Sequence, residues 1–130
     1  MKIFVYSASL RDESLNLKLS KLIAKVAEAS GAEVDFARMS EFDMPMYNFD
    51  DQQSEGIPHA AQALADRITG ADGMILTSPE YNWLPPATIK NALDWLSRLK
   101  PVPLDKKSIF LSSASPSLVG GARGLMSLRI

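Results

Sequence analysis

With 130 residues, 46% of them hydrophobic and 22% charged, the chain is expected to form one globular domain spanning residues 1–130. The absence of cysteine and the single histidine, His59, exclude disulfides, thiolate metal sites, cysteine nucleophiles and a multi-histidine metal centre. A formal net charge of -1 gives no field that would draw the chain to nucleic acid or an acidic membrane; with no leader or membrane-span pattern visible, the expectation is a cytoplasmic protein without nucleic-acid or membrane partners.

Strand and helix patterns alternate from the start. Residues 2–6 (KIFVY) are a short apolar run of β-formers, as in a strand buried on both faces. From Ser14 the apolar positions Leu15, Leu19, Leu22, Ile23 and Val26 have the spacing of a helix stripe, and Gly31 is placed to stop that helix. Residues 33–37 (EVDFA) alternate polar and apolar, as an edge strand does. A polar stretch from about 39 to 56 has no clear period and reads as a long surface connection.

A second helix is predicted over 58–69, with the lone His59 on its surface, and a third strand over 73–77 (GMILT). After the proline-rich loop 78–86, Ile89, Ala92, Leu93 and Leu96 predict a helix over about 86–99, ended by Pro101 and Pro103. Residues 108–112 (SIFLS) give a fourth strand that reads as buried on both faces. A small-residue loop covers 113–121, and Leu125, Met126, Leu128 and Ile130 open a last helix.

Strands alternating with helices imply an α/β fold: a doubly wound parallel sheet, flavodoxin-like, with strand order 2-1-3-4. A buried fourth strand with no following strand to pair its outer edge suggests that a fifth strand and its helix are missing, a C-terminal truncation relative to the complete fold.

Ligands of such sheets bind beyond the carboxyl ends of the strands, where strand order reverses. Three loops converge there: 7–16, 78–86 and 113–121. Ser9, Ser14 and Asn16 offer neutral donors, and Arg11 offers a charged fork suited to phosphate, before a helix N-terminus. The same residues also fit a plain turn, with Ser14 or Asp12 capping the helix and Arg11 solvated. Neither GxxxxGK[ST] nor GxGxxG is present, which leaves a monophosphate with a neutral body as the best match. In the second loop Tyr81 can cover a flat ring, whereas Trp83 reads as a core residue. The third loop, through Gly120 and Gly121, lets backbone approach a ligand closely.

Two motifs make these loops specific. Residues 8–16, Ala-Ser-Leu-Arg-Asp-Glu-Ser-Leu-Asn, resemble G-S-x-R-x-x-S-x-N, and Pro79-Glu80-Tyr81-Asn82 repeats P-E-Y-N, both of the NADPH-dependent FMN reductase family. Ala8 stands where the motif has glycine. The resemblance implies that Ser9, Arg11, Ser14 and Asn16 hold an FMN phosphate. By the same resemblance Pro79, Glu80, Tyr81 and Asn82 contact ribityl chain and isoalloxazine, with Ser113, Ser115 and Gly120 beside the ring. It further implies NADPH or NADH as co-substrate, a small-molecule acceptor such as a quinone, azo dye, metal-oxyanion or flavin, and a homodimer or homotetramer. No acid or base is assigned, because the flavin carries the chemistry. The alternatives are a flavodoxin-like single-electron carrier and a truncated variant with impaired FMN binding.

Overall fold

The computed structural model describes residues 1–129, so Ile130 of the expected last helix lies outside the described residues. The elements run β1 (Lys2–Ser7), α1 (Leu15–Ala29), β2 (Glu33–Arg38), a 3-10 turn (Met39–Glu41), α2 (Phe49–Glu55), α3 (His59–Thr69), β3 (Gly73–Thr77), α4 (Ala87–Leu96), β4 (Ser108–Ser112) and α5 (Ala122–Ser127). The strands form one parallel sheet in the order β2-β1-β3-β4, as expected for the flavodoxin-like arrangement.

Strand alternation divides the core. Phe4, Tyr6, Met74 and Leu76 point to the face covered by α3 and α4, where they pack with Leu64, Ile68, Ile89 and Leu96. Val5 and Ser7 point the other way, toward α1, and β1 is fully buried from Phe4 to Ser7. Ser14 caps α1, its Oγ accepting from the Asn16 and Leu17 amides at 3.1 and 3.4 Å. Gly31, at φ +87°, turns the chain out of the helix.

The side of α1 that meets the sheet is not the expected stripe. Asn16, Leu17, Ser20 and Ala24 are buried, whereas Leu15, Leu22 and Val26 are 45, 59 and 58% exposed. Small and polar side chains let α1 lie close to the strands, and Ser20 satisfies its hydroxyl on the Asn16 carbonyl at 2.9 Å. A second expectation changes at the sheet's rim: β4 is an edge strand, with Ile109 38% and Phe110 62% exposed, because no strand among the described residues flanks it on its outer side.

The stretch 39–56 holds two elements without sequence periodicity. α2 (FDDQQSE) buries none of its residues, so it has no apolar stripe to betray it. Its start is fixed instead by the Asn48 side chain, which accepts from the Asp50 amide, and by Asp50 and Asp51 at the positive end of the helix. The chain before it is pinned to α4: Asn91 Nδ2 and Trp95 Nε1 both donate to the Pro45 carbonyl, each at 2.9 Å.

Arg67 of α3 ties the β2 side together. Its guanidinium donates to both Asp35 oxygens, to the Phe36 carbonyl at 2.7 Å and to Glu41 at 3.1 Å, and it lies 5.2 Å from the centre of the Phe4 ring. These hydrogen bonds hold the Asp35 carboxyl below the usual carboxylate range. The folded carboxyl is therefore the stronger acid, so its stabilisation is complete above the unfolded carboxyl's range and fades as pH falls through the folded value. Arg67→Ala should lower stability at neutral pH by roughly 1–3 kcal/mol and flatten the loss of stability between about pH 6 and about pH 3. Urea unfolding at both ends of that range reads both effects; an unchanged slope would place the acid sensitivity elsewhere.

Candidate functional site

In a parallel sheet every strand delivers its carboxyl end to the same rim. Here the ladder continues past the strands: the Ala8 amide donates to the Thr77 carbonyl at 2.8 Å, and the Ser78 amide to the Ser112 carbonyl at 2.9 Å. Ser7, Ala8, Ser9, Thr77 and Ser78 are all buried, and their small size lets the three loops leave the sheet side by side. Ala8 is 1% exposed and fits where the family motif has glycine.

The first loop has the cap and the exposed arginine of a plain turn, and it keeps groups that an anion could use. Ser14 caps the helix with its lone pairs, leaving its O–H proton available. Asp12 does not cap; its carboxylate takes the Arg38 Nη2 at 2.8 Å, which braces the loop from the end of β2. Ser9 is buried and accepts from the Arg11 amide at 3.3 Å. Arg11 is exposed, and its guanidinium has no ion-pair or hydrogen-bond partner among the described residues. One free cation thus stands at the N-terminus of α1, where unpaired amides and the helix dipole also favour an anion.

Asn16 is used differently from expectation. Its side chain forms a two-way clamp on the third loop, Nδ2 donating to the Ala114 carbonyl at 3.0 Å and Oδ1 accepting from the Ala114 amide at 2.9 Å. One amide proton remains for a ligand. The family resemblance implies a place for Asn16 at the phosphate; its partner in the clamp, 98 residues further on, carries no sequence signal.

The second loop is a tight turn in which Tyr81 and Leu84 exchange two backbone hydrogen bonds, at 2.9 and 3.1 Å. Both central residues are left-handed, Asn82 at φ +51° and Trp83 at φ +74°. Asparagine tolerates this region and tryptophan does not, so the turn carries strain on the order of 1–2 kcal/mol. Pro79 is buried, while Tyr81 and Asn82 are exposed on the rim. Trp83 is not a core residue: it is 68% exposed, with the Arg123 guanidinium 4.1 Å from its ring centre. Glu80 turns its carboxylate to the third loop, accepting from the Gly124 amide at 2.9 Å.

In the third loop Gly120 adopts φ +65°, and Gly121 meets Ser113 so closely that a Cβ there would lie 2.0 Å from its Oγ. Ser115 is exposed and shares its hydroxyl with Ser117. The buried hydroxyls of Ser7, Ser112 and Ser113 have no partner among the described residues. Three unspent hydroxyls at the ends of β1 and β4, one free arginine and glycine-lined backbone fit a polar ligand with an anionic group, and they fit FMN. Apart from this rim, an apolar groove of about 560 Å³, lined in part by Leu64, Leu93, Leu104 and Leu111, opens beside β4 on the α3/α4 face and involves none of the three loops.

Known proteins resemble the chain throughout. The NADPH-dependent FMN reductase family matches residues 1–130. A quinone reductase of Escherichia coli strain K12 is 41% identical over 129 residues, which are 99% of this chain and 68% of that protein. An NAD(P)H-dependent FMN reductase of Pseudomonas aeruginosa is 33% identical over 130 residues, with 99 and 68% covered. Among solved structures, FerB, a flavoenzyme NAD(P)H:(acceptor) oxidoreductase from Paracoccus denitrificans, superposes with a TM-score of 0.83 at 33% identity, over 98% of this chain and 68% of that one. The chain belongs to the NADPH-dependent FMN reductase family.

The clamp has a consequence that ligand contact alone does not. Asn16→Ala strands the part-buried amide and carbonyl of Ala114, and should cost roughly 1–3 kcal/mol of stability even without flavin. Urea unfolding of the flavin-free protein checks this; wild-type stability would mean that Asn16 serves the ligand only.

Proposed function

We propose that the chain is an FMN-dependent NAD(P)H oxidoreductase that passes reducing equivalents from NADPH or NADH to a small acceptor of the quinone, azo, metal-oxyanion or flavin type. The observation that carries this reading is the free cation of Arg11 at the N-terminus of α1, beside the buried hydroxyls of Ser9 and Ser14. One full charge surrounded by neutral donors suits a phosphate monoester. The remaining amide proton of Asn16 adds a further donor at that end.

Beyond the phosphate, Pro79, Glu80, Tyr81 and Asn82 would border ribityl chain and ring from one loop, and Ser113, Ser115 and Gly120 from the other. The exposed Tyr81 supplies a flat apolar cover. When bound, the flavin accepts hydride from the nicotinamide and returns the electrons to the acceptor. The protein's own residues fix the ring and present donors to it; none is needed as acid or base. The family membership and the E. coli quinone reductase support this reading. No described helix is long and apolar enough to cross a membrane, and the reading includes a cytoplasmic location, where reduced nicotinamides are available.

The same reading includes a homodimer or homotetramer. Leu22, Val26 and Phe110 are each more than half exposed, and a second copy would remove that apolar surface from water.

Titration with FMN, followed by flavin fluorescence, should give tight binding, and anaerobic NADPH should then bleach the bound flavin. Binding without bleaching would instead favour the electron carrier. Arg11→Ala should weaken FMN by roughly 1.5–3 kcal/mol, about 10- to 150-fold, as expected for charged hydrogen bonds to phosphate. Unchanged affinity would move the phosphate away from the first loop. Light scattering should return a multiple of the 14.2 kDa chain mass, and a monomer would count against the assembly.

A further inference from the structure

The second and third loops are joined by one side chain. Glu80 Oε2 accepts from the amide of Gly124, in the first turn of α5, at 2.9 Å. Its Oε1 lies 3.5 Å from Arg123 Nε, a distance for an ion pair although not a formed hydrogen bond. The Glu80 side chain is only 10% exposed, so the carboxylate acts on these groups with little screening. Arg123 in turn lies against the Trp83 ring, whose left-handed backbone needs an external hold.

The glycines fit the same arrangement. A Cβ at Gly124 would stand 3.4 Å from Glu80 Cβ, and one at Gly121 would collide with Ser113. The start of α5 can therefore reach Glu80 only because Gly121 lacks a side chain, whereas a Cβ at Gly124 would make ordinary contact with Glu80. Two loops that leave neighbouring strands are locked at a fixed separation, from Glu80 through Gly124 and Arg123 to Trp83.

Resting on the flavin reading above, we propose that Glu80 is a positioning residue: by tying the second loop to the start of α5 it sets the width of the slot that receives the isoalloxazine ring. Its carboxylate touches the neighbouring loop, and its effect reaches the flavin through the spacing of Tyr81 and Asn82 against Ser113 and Gly120. This separates two jobs within one site. Arg11 acts on the phosphate, whereas Glu80 acts on the ring.

Riboflavin, which has the ring and no phosphate, distinguishes the two. Purified wild-type protein, Glu80→Ala, Glu80→Gln and Arg11→Ala are titrated with FMN and with riboflavin by flavin fluorescence. Glu80→Ala should weaken both flavins by a common factor of about tenfold, the scale of one charge-assisted hydrogen bond. Arg11→Ala should weaken FMN alone.

Glu80→Gln keeps an oxygen for the Gly124 amide and guards against a Glu80→Ala variant that fails to fold. It should stay within about threefold of wild type in affinity, a small part of the hydrogen-bond energy at stake. Glu80→Ala binding both flavins as wild type, or losing FMN alone, overturns the positioning role while leaving FMN binding intact. A Glu80→Gln variant as weak as Glu80→Ala overturns it too, because an oxygen retained for the Gly124 amide would then not restore the spacing. Wild-type protein that binds neither flavin overturns the cofactor reading and this inference together.

Discussion

A parallel sheet whose order reverses between β1 and β3 leaves one place that its own helices do not seal. The chain leaves β1 into α1 on one face and leaves β3 into α4 on the other, so the two crossovers diverge from adjacent strand ends. Backbone must nevertheless continue from each strand, and it does so through residues too small to fill the gap, Ser7 to Ser9 and Thr77 to Ser78. The sheet thus creates the crevice, and the side chains of the three loops only decide what enters it.

Those side chains divide into two groups by burial. Asn16 and Glu80 are largely enclosed and spend their polar atoms on backbone of the third loop, at Ala114, and of the start of α5 that follows it, at Gly124. Buried polar groups are costly unless satisfied, so once formed these contacts resist opening. Arg11 is the opposite case, an exposed charge that nothing else in the described chain uses. The third loop has little apolar anchorage of its own, with Leu118 fully exposed and Val119 half exposed. Its shape therefore depends on side chains lent by the first two loops. A site held together in this way can be rigid in geometry although it is built from loops.

The same division explains what could be read from the sequence. Elements with an unbroken apolar run or a period of 3.6 were legible: β3 and β4 fall at the expected residues, and α3 and α4 within a few. α2 was not, because a helix that buries nothing has no apolar stripe, and its capping by Asn48 is a single weak signal. On α1 the stripe was real but its partner was misjudged. Leu15, Leu22 and Val26 lie beside the sheet-facing side, which is small and polar and so does not register as a core pattern. The two motifs were legible as a family resemblance, and the family model matches over the whole chain. The individual tasks of their residues were not, because Asn16 and Glu80 bond to residues 98 and 44 positions away. Trp83 reads from the sequence as the core residue of a proline-rich turn; the turn that exposes it depends on backbone conformation, which side-chain pattern does not encode.

The turn at Asn82 and Trp83 joins backbone strain to the contacts between the loops. A left-handed tryptophan persists only where the surroundings over-determine it. Here two backbone hydrogen bonds close the turn, and Arg123 stacks on the indole. Arg123 also faces Glu80, so the strain at residue 83, the ion pair and the start of α5 form one connected unit that includes no residue of the first loop. On the FMN reading proposed above, substitutions around Trp83 would reshape the ring slot while Arg11 kept its hold on the phosphate.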